Sequence, residues 1–180
     1  DSYRKVLEGQ GGRQVAFRLL DVMAATLNIE SPQQERNPAL GRRGVRGLLA
    51  NQEVLRLQLR AILRAAHGFE GVGVLVPFVT SVADLQRVKA ALLEERVGLK
   101  KAKVKCAPEL QIAPIIEVPA AAMSLSTLLH ESDFAVVAID DLQQHLLGAD
   151  RDNVGVRDYF EMVHPAVFEI LARMSKEAEK

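Results

Sequence analysis

Runs of consecutive apolar residues alternate along this chain with longer segments in which apolar residues recur at helical spacing. Four runs have the length and composition of buried strands: 14–21, 72–78, 112–118 and 134–139. Strands that are apolar on both faces and separated by helices are typical of a parallel sheet covered by helices. The pattern therefore predicts an α/β fold.

The first strand is followed by a polar loop over 22–42 and then by a helical pattern. This helix is predicted from the region 41–44 to Ala66, with its leucines on one face. Three arginines mark the opposite face: Arg56, Arg60 and Arg64. We interpret this stripe as a solvated helix face rather than a binding patch.

The remaining helices have start signals of their own. Ser81 is followed three residues later by Asp84, which predicts a capping box. The segment 100–105 is rich in lysine and is predicted to be a basic loop. Pro165 predicts the first turn of a last amphipathic helix, because proline is favoured at that position.

The number of strands sets a limit on the architecture. The chain has 180 residues, of which 48% are hydrophobic, so it fits one domain with a real core. A closed (β/α) barrel needs eight strands in about 250 residues, twice the number found here. The sequence therefore predicts either a small open α/β domain or a single, partial barrel domain over 1–180.

Charge and cysteine content exclude several classes of protein. Lys and Arg number 23 and Asp and Glu number 23, so nothing in the net charge favours nucleic acid as a partner. No apolar stretch reaches the roughly 18 residues that cross a membrane. The single cysteine, Cys106, agrees with a reducing compartment, so we expect a cytoplasmic location. Because the chain opens on Asp1 rather than Met, we expect a processed product or a fragment.

Acidic residues follow two of the predicted strands. Glu117 ends the strand at 112–118, and Asp141 follows the strand at 134–139. Parallel strands end at the same edge of the sheet, where such folds bind their ligands. The two carboxylates are therefore candidate ligands of a hard cation such as Mg²⁺, and Arg18 and Arg151 are candidate ligands of an anion.

Each candidate also fits a structural role. Glu117 suits the cap of the following helix or an ion pair with Arg18. Asp141 suits the N-cap of a helix beginning at Leu142, a role compatible with metal binding. Arg18 lies within an apolar strand, where a buried arginine needs a partner, and this favours a functional role.

Nine segments, in order, match one family of proteins. Among them are Val-Ala-Phe-Arg-Leu-Leu-Asp-Val, Asn-Pro-Ala-Leu-Gly, Val-Pro-Phe, Ile-Glu-Val-Pro-Ala and Ala-Asp-Arg-Asp-Asn; the nine are 3–7, 15–22, 37–46, 55–66, 76–78, 116–120, 140–142, 149–153 and 164–167. Over nearly its full length the chain resembles the phosphoenolpyruvate-binding domain of Enzyme I of the bacterial sugar phosphotransferase system. Within that family it most resembles the nitrogen-regulatory paralogue.

The resemblance implies a TIM barrel that dimerises. It also implies Mg²⁺-dependent transfer of the phosphoryl group of phosphoenolpyruvate to a histidine on a separate domain, and then to a small phosphocarrier protein. By position it assigns metal binding to Glu117 and Asp141. It assigns substrate binding to four residues: Arg18, Arg43, Asp140 and Arg151.

The chain departs from the family pattern in two segments. The family has Asp-x-Gly-Gly-Asp-Lys where this chain has Asp-Val-Met-Ala-Ala-Thr at 21–26, so two glycines and a lysine are replaced. Asp140 replaces an asparagine whose amide can donate to the substrate, and its carboxylate repels phosphate.

The catalytic groups of the family have no match in this chain. The histidine domain and the strand with the family's cysteine acid would lie outside 1–180, so no catalytic residue is assigned and we expect this chain alone to be inactive. The alternative is a catalytically degenerate relative kept for dimerisation, partner binding or regulation. A third interpretation, another phosphoenolpyruvate or pyruvate barrel such as a dikinase, fits the segment around Asn37 less well.

Overall fold

A computed structural model describes residues 2–21, 35–160 and 163–179 of the chain. The helices and strands are, in order, α1 (Ser2–Gly9), β1 (Val15–Arg18), α2 (Gly44–Ala50), α3 (Gln52–Ala65), β2 (Val72–Val76), α4 (Val82–Lys101), β3 (Gln111–Ile116), α5 (Pro119–Met123), α6 (Leu125–Leu129), β4 (Val136–Val137), α7 (Ile139–Leu147) and α8 (Pro165–Ala178). Short 3₁₀ turns cover Pro38–Leu40 and Val154–Tyr159.

The four described strands form one parallel sheet in the order β1-β2-β3-β4. Val15 pairs with Val72, Gly73 with Gln111, and Ile116 with Val137. The sheet is curled into a half-barrel, so the α/β class and the parallel sheet predicted from the sequence are confirmed. A closed eight-stranded barrel is not seen in the described residues.

The core lies between the sheet and the helices that cover it. The inner strand β2 is buried along most of its length, with Val74 and Val76 at 0% exposure. Helix α3 presents its apolar face to the same core through Leu55, Leu59 and Ile62, all at 0% exposure. Burial of each such side chain contributes about 1.5–3 kcal/mol, so this layer holds the sheet in place.

Two predicted helix starts are confirmed. Ser81 and Asp84 form the capping box of α4, each accepting from the other's backbone N–H. Pro165 is the first residue of α8, and the side chain of His164 accepts from the backbone N–H of Ala166. The helix predicted up to Ala66 is instead two helices, because Asn51 interrupts it and caps α3 by accepting from Val54.

All four described strands are shorter than predicted, and for β4 the reason is that the following helix begins within the predicted strand. Pro119 starts α5 directly after β3. Helix α7 begins at Ile139, with Ala138 as its N-cap, so the prediction that Asp141 caps a helix from Leu142 is wrong. The basic segment 100–105 is also partly helical, since α4 continues to Lys101.

The arginine stripe on α3 is only partly a free solvated face. Arg56 donates to Glu94 and Glu95 of α4, and Arg60 donates to Glu95. Arg64 is exposed, as predicted. Within the described ranges, the helices include none with the length and apolarity needed to span a bilayer.

Candidate functional site

Three carboxylates lie at the carboxyl edge of the sheet. Asp21 follows β1, Glu117 directly follows β3, and Asp141 lies in the first turn of α7, just after β4. The parallel topology brings these positions to one edge. Glu117 and Asp141 were predicted to meet there, whereas Asp21 was not singled out from the sequence.

Arg43 lies among these carboxylates. Its Nε and Nη2 donate to the two oxygens of Asp21 at 3.1 and 2.5 Å, and its Nη1 lies 3.6 Å from Oδ1 of Asp141. The Asp21 and Arg43 side chains are only 4% and 15% exposed. The hydrogen bond with Asp21 raises the pKa of Arg43 above its ordinary value, so the guanidinium is a permanent positive charge.

A glycine next to Arg43 allows the backbone to pass close to the end of β2. Gly44 begins α2 with φ +51°, and an added Cβ would come 2.6 Å from Cβ of Phe78. The neighbouring Val45 donates its N–H to the carbonyl of Pro77 at 2.9 Å, which joins the start of α2 to the end of β2. Arg43 precedes Gly44, so this close approach fixes the backbone from which the Arg43 side chain extends.

Phe78 connects the arginines to Glu117. Its φ is +59°, a conformation in which a bulky residue is a genuine outlier. In this conformation its backbone N–H donates to Oε2 of Glu117. Its ring lies under two guanidinium groups, with Cζ of Arg43 at 4.8 Å and Cζ of Arg46 at 4.7 Å from the centroid.

Glu117 is a buried carboxylate without a cation directly bonded to it. The residue is 1% exposed, and no described residue forms an ion pair with it within 4.0 Å. Its pKa is raised to about 7, chiefly by burial and also by the negative charges of Asp21 and Asp141, against the lowering effect of the N–H of Phe78 and the charge of Arg43. The interpretation of Glu117 as a partner of Arg18 or as a helix cap is therefore wrong.

Asp141 faces two arginines, but neither contact is a short hydrogen bond. Nη1 of Arg151 lies 3.5 Å from its Oδ2 and Nη1 of Arg43 lies 3.6 Å from its Oδ1. Oδ1 is buried and, within the described part of the chain, accepts no hydrogen bond. Because a buried carboxylate oxygen normally has a partner, this atom is suited to an additional cation.

A histidine links the two predicted metal ligands through the backbone. Nδ1 of His145 lies 2.9 Å from the carbonyl oxygen of Glu117 and 2.6 Å from that of Asp141. Since both neighbours are acceptors, Nδ1 carries the proton. The ring thereby holds the end of β3 against the first turn of α7.

Two other predicted residues lie at the margin of the site. Nη1 of Arg18 lies 3.8 Å from Oδ2 of Asp21, and its side chain is 56% exposed. The inference from a buried Arg18 is therefore wrong, and Arg18 is the last residue of β1 rather than an interior residue of a strand over 14–21. Asp140 is exposed in the first turn of α7. The replaced motif residues 23–26 lie outside the described residues.

The donor set fits a hard cation with part of its shell left open. Among the described residues, no three His, Cys, Asp or Glu side chains are grouped so as to hold a metal ion. Glu117 and Asp141 nevertheless supply carboxylate oxygens, one of which lacks a hydrogen bond. Mg²⁺ commonly takes one or two protein carboxylates and completes its shell with water and substrate oxygens, so two carboxylates are sufficient.

Sequence reasoning missed Asp21, Phe78 and His145. Asp21 had a usable signal, because it follows an apolar strand just as Glu117 does. Phe78 and His145 had no such signal. Their roles depend on a backbone conformation and on the packing of α7 against β3.

Comparison with known proteins gives a match over the whole chain. The model of the family described as "PEP-utilising enzyme, PEP-binding domain" matches residues 1–180. The phosphoenolpyruvate-protein phosphotransferase of Bacillus subtilis is 32% identical over 181 residues, which cover 100% of this chain and 32% of that protein. The protein of the same name from Staphylococcus aureus is 31% identical, with the same coverage.

A third relative is a Salmonella typhimurium protein named phosphoenolpyruvate-dependent phosphotransferase system. It is 34% identical over 180 residues, which cover 99% of this chain and 24% of that protein. The chain thus spans about a third or less of the length of these relatives.

Proposed function

Because the chain belongs to the family of PEP-binding domains of PEP-utilising enzymes, we propose that it binds phosphoenolpyruvate with Mg²⁺ at the carboxyl edge of its sheet. In this proposal it is the substrate-binding part of a phosphoenolpyruvate–protein phosphotransferase. Its four strands are then half of a (β/α)₈ barrel. The observation that carries the proposal is the buried Glu117 beside Asp141, with two arginines facing Asp141.

The arginines account for binding of the anion. Arg43 and Arg151 each direct Nη1 toward Asp141, so their charges converge on one point at the sheet edge. The half-exposed Arg18 lies beside Asp21 and adds a third charge. Guanidinium groups bind phosphate and carboxylate oxygens through paired N–H donors, and phosphoenolpyruvate carries both groups.

The carboxylates account for the metal. Glu117 and Asp141 would hold Mg²⁺ through one or more of their oxygens. When bound, the ion supplies positive charge that draws the substrate's oxygens together and neutralises charge on the transferring phosphoryl group. The link from His145 to both backbone carbonyls keeps the two carboxylate-bearing segments at a fixed separation.

Phosphoryl transfer itself needs groups from elsewhere in the protein. Positioning and charge stabilisation dominate this chemistry, but an acceptor must lie in line with the phosphoryl group. We propose that the acceptor is a histidine on another domain, which passes the group to a phosphocarrier protein. The whole enzyme is then a cytoplasmic homodimer, and the 180 residues bind substrate without turning it over.

One observation favours a second candidate, a catalytically degenerate member of the family. Asp140 is exposed in the first turn of α7, next to Asp141, and forms no ion pair with any described residue. An uncompensated carboxylate at this position repels an anionic substrate. In such a protein the fold would serve dimerisation, partner binding or regulation.

Titration calorimetry separates the two candidates. The chain is titrated with phosphoenolpyruvate in excess Mg²⁺, and with Mg²⁺ alone. The proposal predicts saturable binding, which Glu117→Gln weakens by roughly 100-fold or more, because it removes a direct ligand rather than an outer-shell group. Glu169→Gln on the exposed face of α8 is the matched control and leaves binding unchanged.

Two results would contradict the proposal. If the unaltered chain binds neither Mg²⁺ nor phosphoenolpyruvate, the degenerate alternative is supported. If binding is equally strong in Glu117→Gln, the ligand occupies another site.

A further inference from the structure

Asp21 is a buried carboxylate to which the proposed binding of metal and substrate assigns no part. We propose that it is a positioning residue that fixes the guanidinium of Arg43 so that Nη1 faces the ligand. This inference rests on the proposed function, because it concerns the same site.

The first argument is which N–H donors of Arg43 are bonded to Asp21 and which are left available. A guanidinium has five N–H groups in one plane. Nε and Nη2 of Arg43 donate to the two oxygens of Asp21 at 3.1 and 2.5 Å. Both N–H groups of Nη1 remain outside this fork, and Nη1 lies 3.6 Å from Oδ1 of Asp141, too far for a hydrogen bond. The group that Asp21 leaves available is therefore the one that faces the proposed metal ligand.

The second argument is that Arg43 is held from two directions. Asp21 bonds to the edge of the guanidinium, while the ring of Phe78 lies below its face, 4.8 Å from Cζ. The side chains of Asp21 and Arg43 are 4% and 15% exposed, so water does not replace these contacts. A two-point contact in the plane and a ring below it define both the position and the tilt of the fork.

The third argument is selectivity among the arginines of the site. Arg18 is also near Asp21, but its Nη1 lies 3.8 Å away and its side chain is 56% exposed. Asp21 therefore does not orient Arg18 as it orients Arg43. A general electrostatic role for Asp21 would affect both arginines, whereas a positioning role acts through Arg43 alone.

These contacts make a specific difference to ligand binding. A guanidinium that is fixed before the ligand arrives loses less side-chain entropy when it binds. Asp21→Asn keeps the size of the side chain but replaces one accepting oxygen with a donor, so one of the two bonds is lost. Arg43 then keeps its charge but not its orientation.

The test is a double-mutant cycle on the 180-residue chain. The dissociation constant for phosphoenolpyruvate in excess Mg²⁺ is measured by calorimetry for the unaltered chain, Asp21→Asn, Arg43→Gln and the double variant. We expect Asp21→Asn to weaken binding roughly tenfold to 100-fold, the range found when a group that orients a ligand-holding side chain is removed. In the Arg43→Gln background the same change has no further effect.

Thermal unfolding and the Arg18→Gln background separate positioning from a merely structural role. The cycle with Arg18 is expected to be additive, because Asp21 does not orient that side chain. A loss of affinity that follows the fall in unfolding temperature, and persists in Arg43→Gln, overturns the inference. Unchanged affinity in Asp21→Asn overturns it as well.

A second variant keeps the inference testable if Asp21→Asn does not fold. Arg43→Lys retains the charge but cannot form the two-point contact, so it is expected to bind as weakly as Arg43→Gln. Affinity within threefold of the unaltered chain overturns the inference. If the unaltered chain binds no phosphoenolpyruvate at all, the proposed function fails first, and the inference fails with it.

Discussion

Two clusters of arginine and carboxylate lie at different places in this fold, and they differ in how far their charges are paired. The first, here called the helix cluster, consists of Arg56 and Arg60 of α3 with Glu94 and Glu95 of α4. The second, here called the edge cluster, consists of Asp21, Arg43, Glu117, Asp141 and Arg151 at the carboxyl edge of the sheet.

The buried glutamates of the two clusters differ in the direction of their pKa shifts. Burial raises the pKa of Glu95, but hydrogen bonds from Arg60 and Arg56 outweigh burial and hold the pKa below its ordinary value. Burial also raises the pKa of Glu117, and the nearby charges of Asp21 and Asp141 add to it, so the pKa reaches about 7. One glutamate is stabilised in its charged form and the other is not.

The comparison separates a structural role from a binding role. In the helix cluster every carboxylate accepts from an arginine, so the cluster joins two helices and leaves nothing for a ligand. In the edge cluster Oδ1 of Asp141 accepts no hydrogen bond from any described residue, and among these residues the carboxylate of Glu117 accepts only from a backbone N–H. Incomplete pairing of buried charge is costly to stability and is a feature of sites that bind something else.

The largest expected effect is on how stability depends on pH. The pKa of Glu117 is raised in the folded chain, so its contribution to stability is complete below about pH 4.5 and is lost as pH rises through about 7. Gln resembles the protonated acid and does not titrate. With a Mg²⁺ chelator present, the free energy of unfolding of Glu117→Gln should therefore rise relative to that of the unaltered chain as the pH goes from 4.5 to 8. The expected change is on the order of 3 kcal/mol.

Urea unfolding at several pH values measures this difference. A difference between the two proteins that is constant with pH would contradict the prediction. It would mean that Glu117 has the same pKa in the folded chain as in the unfolded chain.

The helix cluster should respond with the opposite sign and a smaller effect. The pKa of Glu95 is lowered in the folded chain, so its stabilisation is present above the unfolded pKa and is lost as pH falls through the folded value. Glu95→Gln should cost roughly 1–2 kcal/mol at pH 7, because two arginine donors lose a charged acceptor. The loss of stability caused by Glu95→Gln should be smaller at acidic pH.

Binding gives the control for that variant. Glu95→Gln should leave the affinity for Mg²⁺ and phosphoenolpyruvate unchanged, since the helix cluster lies on the helix layer rather than at the sheet edge. A loss of affinity comparable to that of Glu117→Gln would remove the distinction between the two clusters.

The sequence predicts the strands and the edge of the sheet well, because both follow from a local pattern. Apolar runs identified all four described strands, and the polar residues after them identified Glu117 and Asp141. Helix starts were predicted where a cap or proline marks them, as at Ser81 and Pro165. The break at Asn51 was missed because helical spacing continues past it, and the early start of α7 was missed because the apolar run continues to Ile139.

The pairing of charges could not be predicted, because it depends on which elements pack together. Arg56 and Arg60 were interpreted as solvated, since nothing in their spacing indicates that α4 lies beside them. Arg18 was interpreted as buried because its neighbours in the sequence are apolar, but its side chain is 56% exposed. Resemblance to a family supplied Arg43, but only the fold reveals that Asp21 holds it.

The smallest expected effect tests whether distance or burial decides the strength of an ion pair. Nη2 of Arg56 lies 2.5 Å from Glu94, closer than the 2.7 Å from Arg60 to Glu95, but the Glu94 side chain is 60% exposed and that of Glu95 only 8%. Water and salt screen an exposed pair, and ordering two long side chains opposes it. Glu94→Gln should therefore lower the unfolding temperature by less than about 2 °C, and by still less at high salt. A decrease as large as that of Glu95→Gln, measured at the same pH and salt, would show that proximity rather than burial governs the helix cluster.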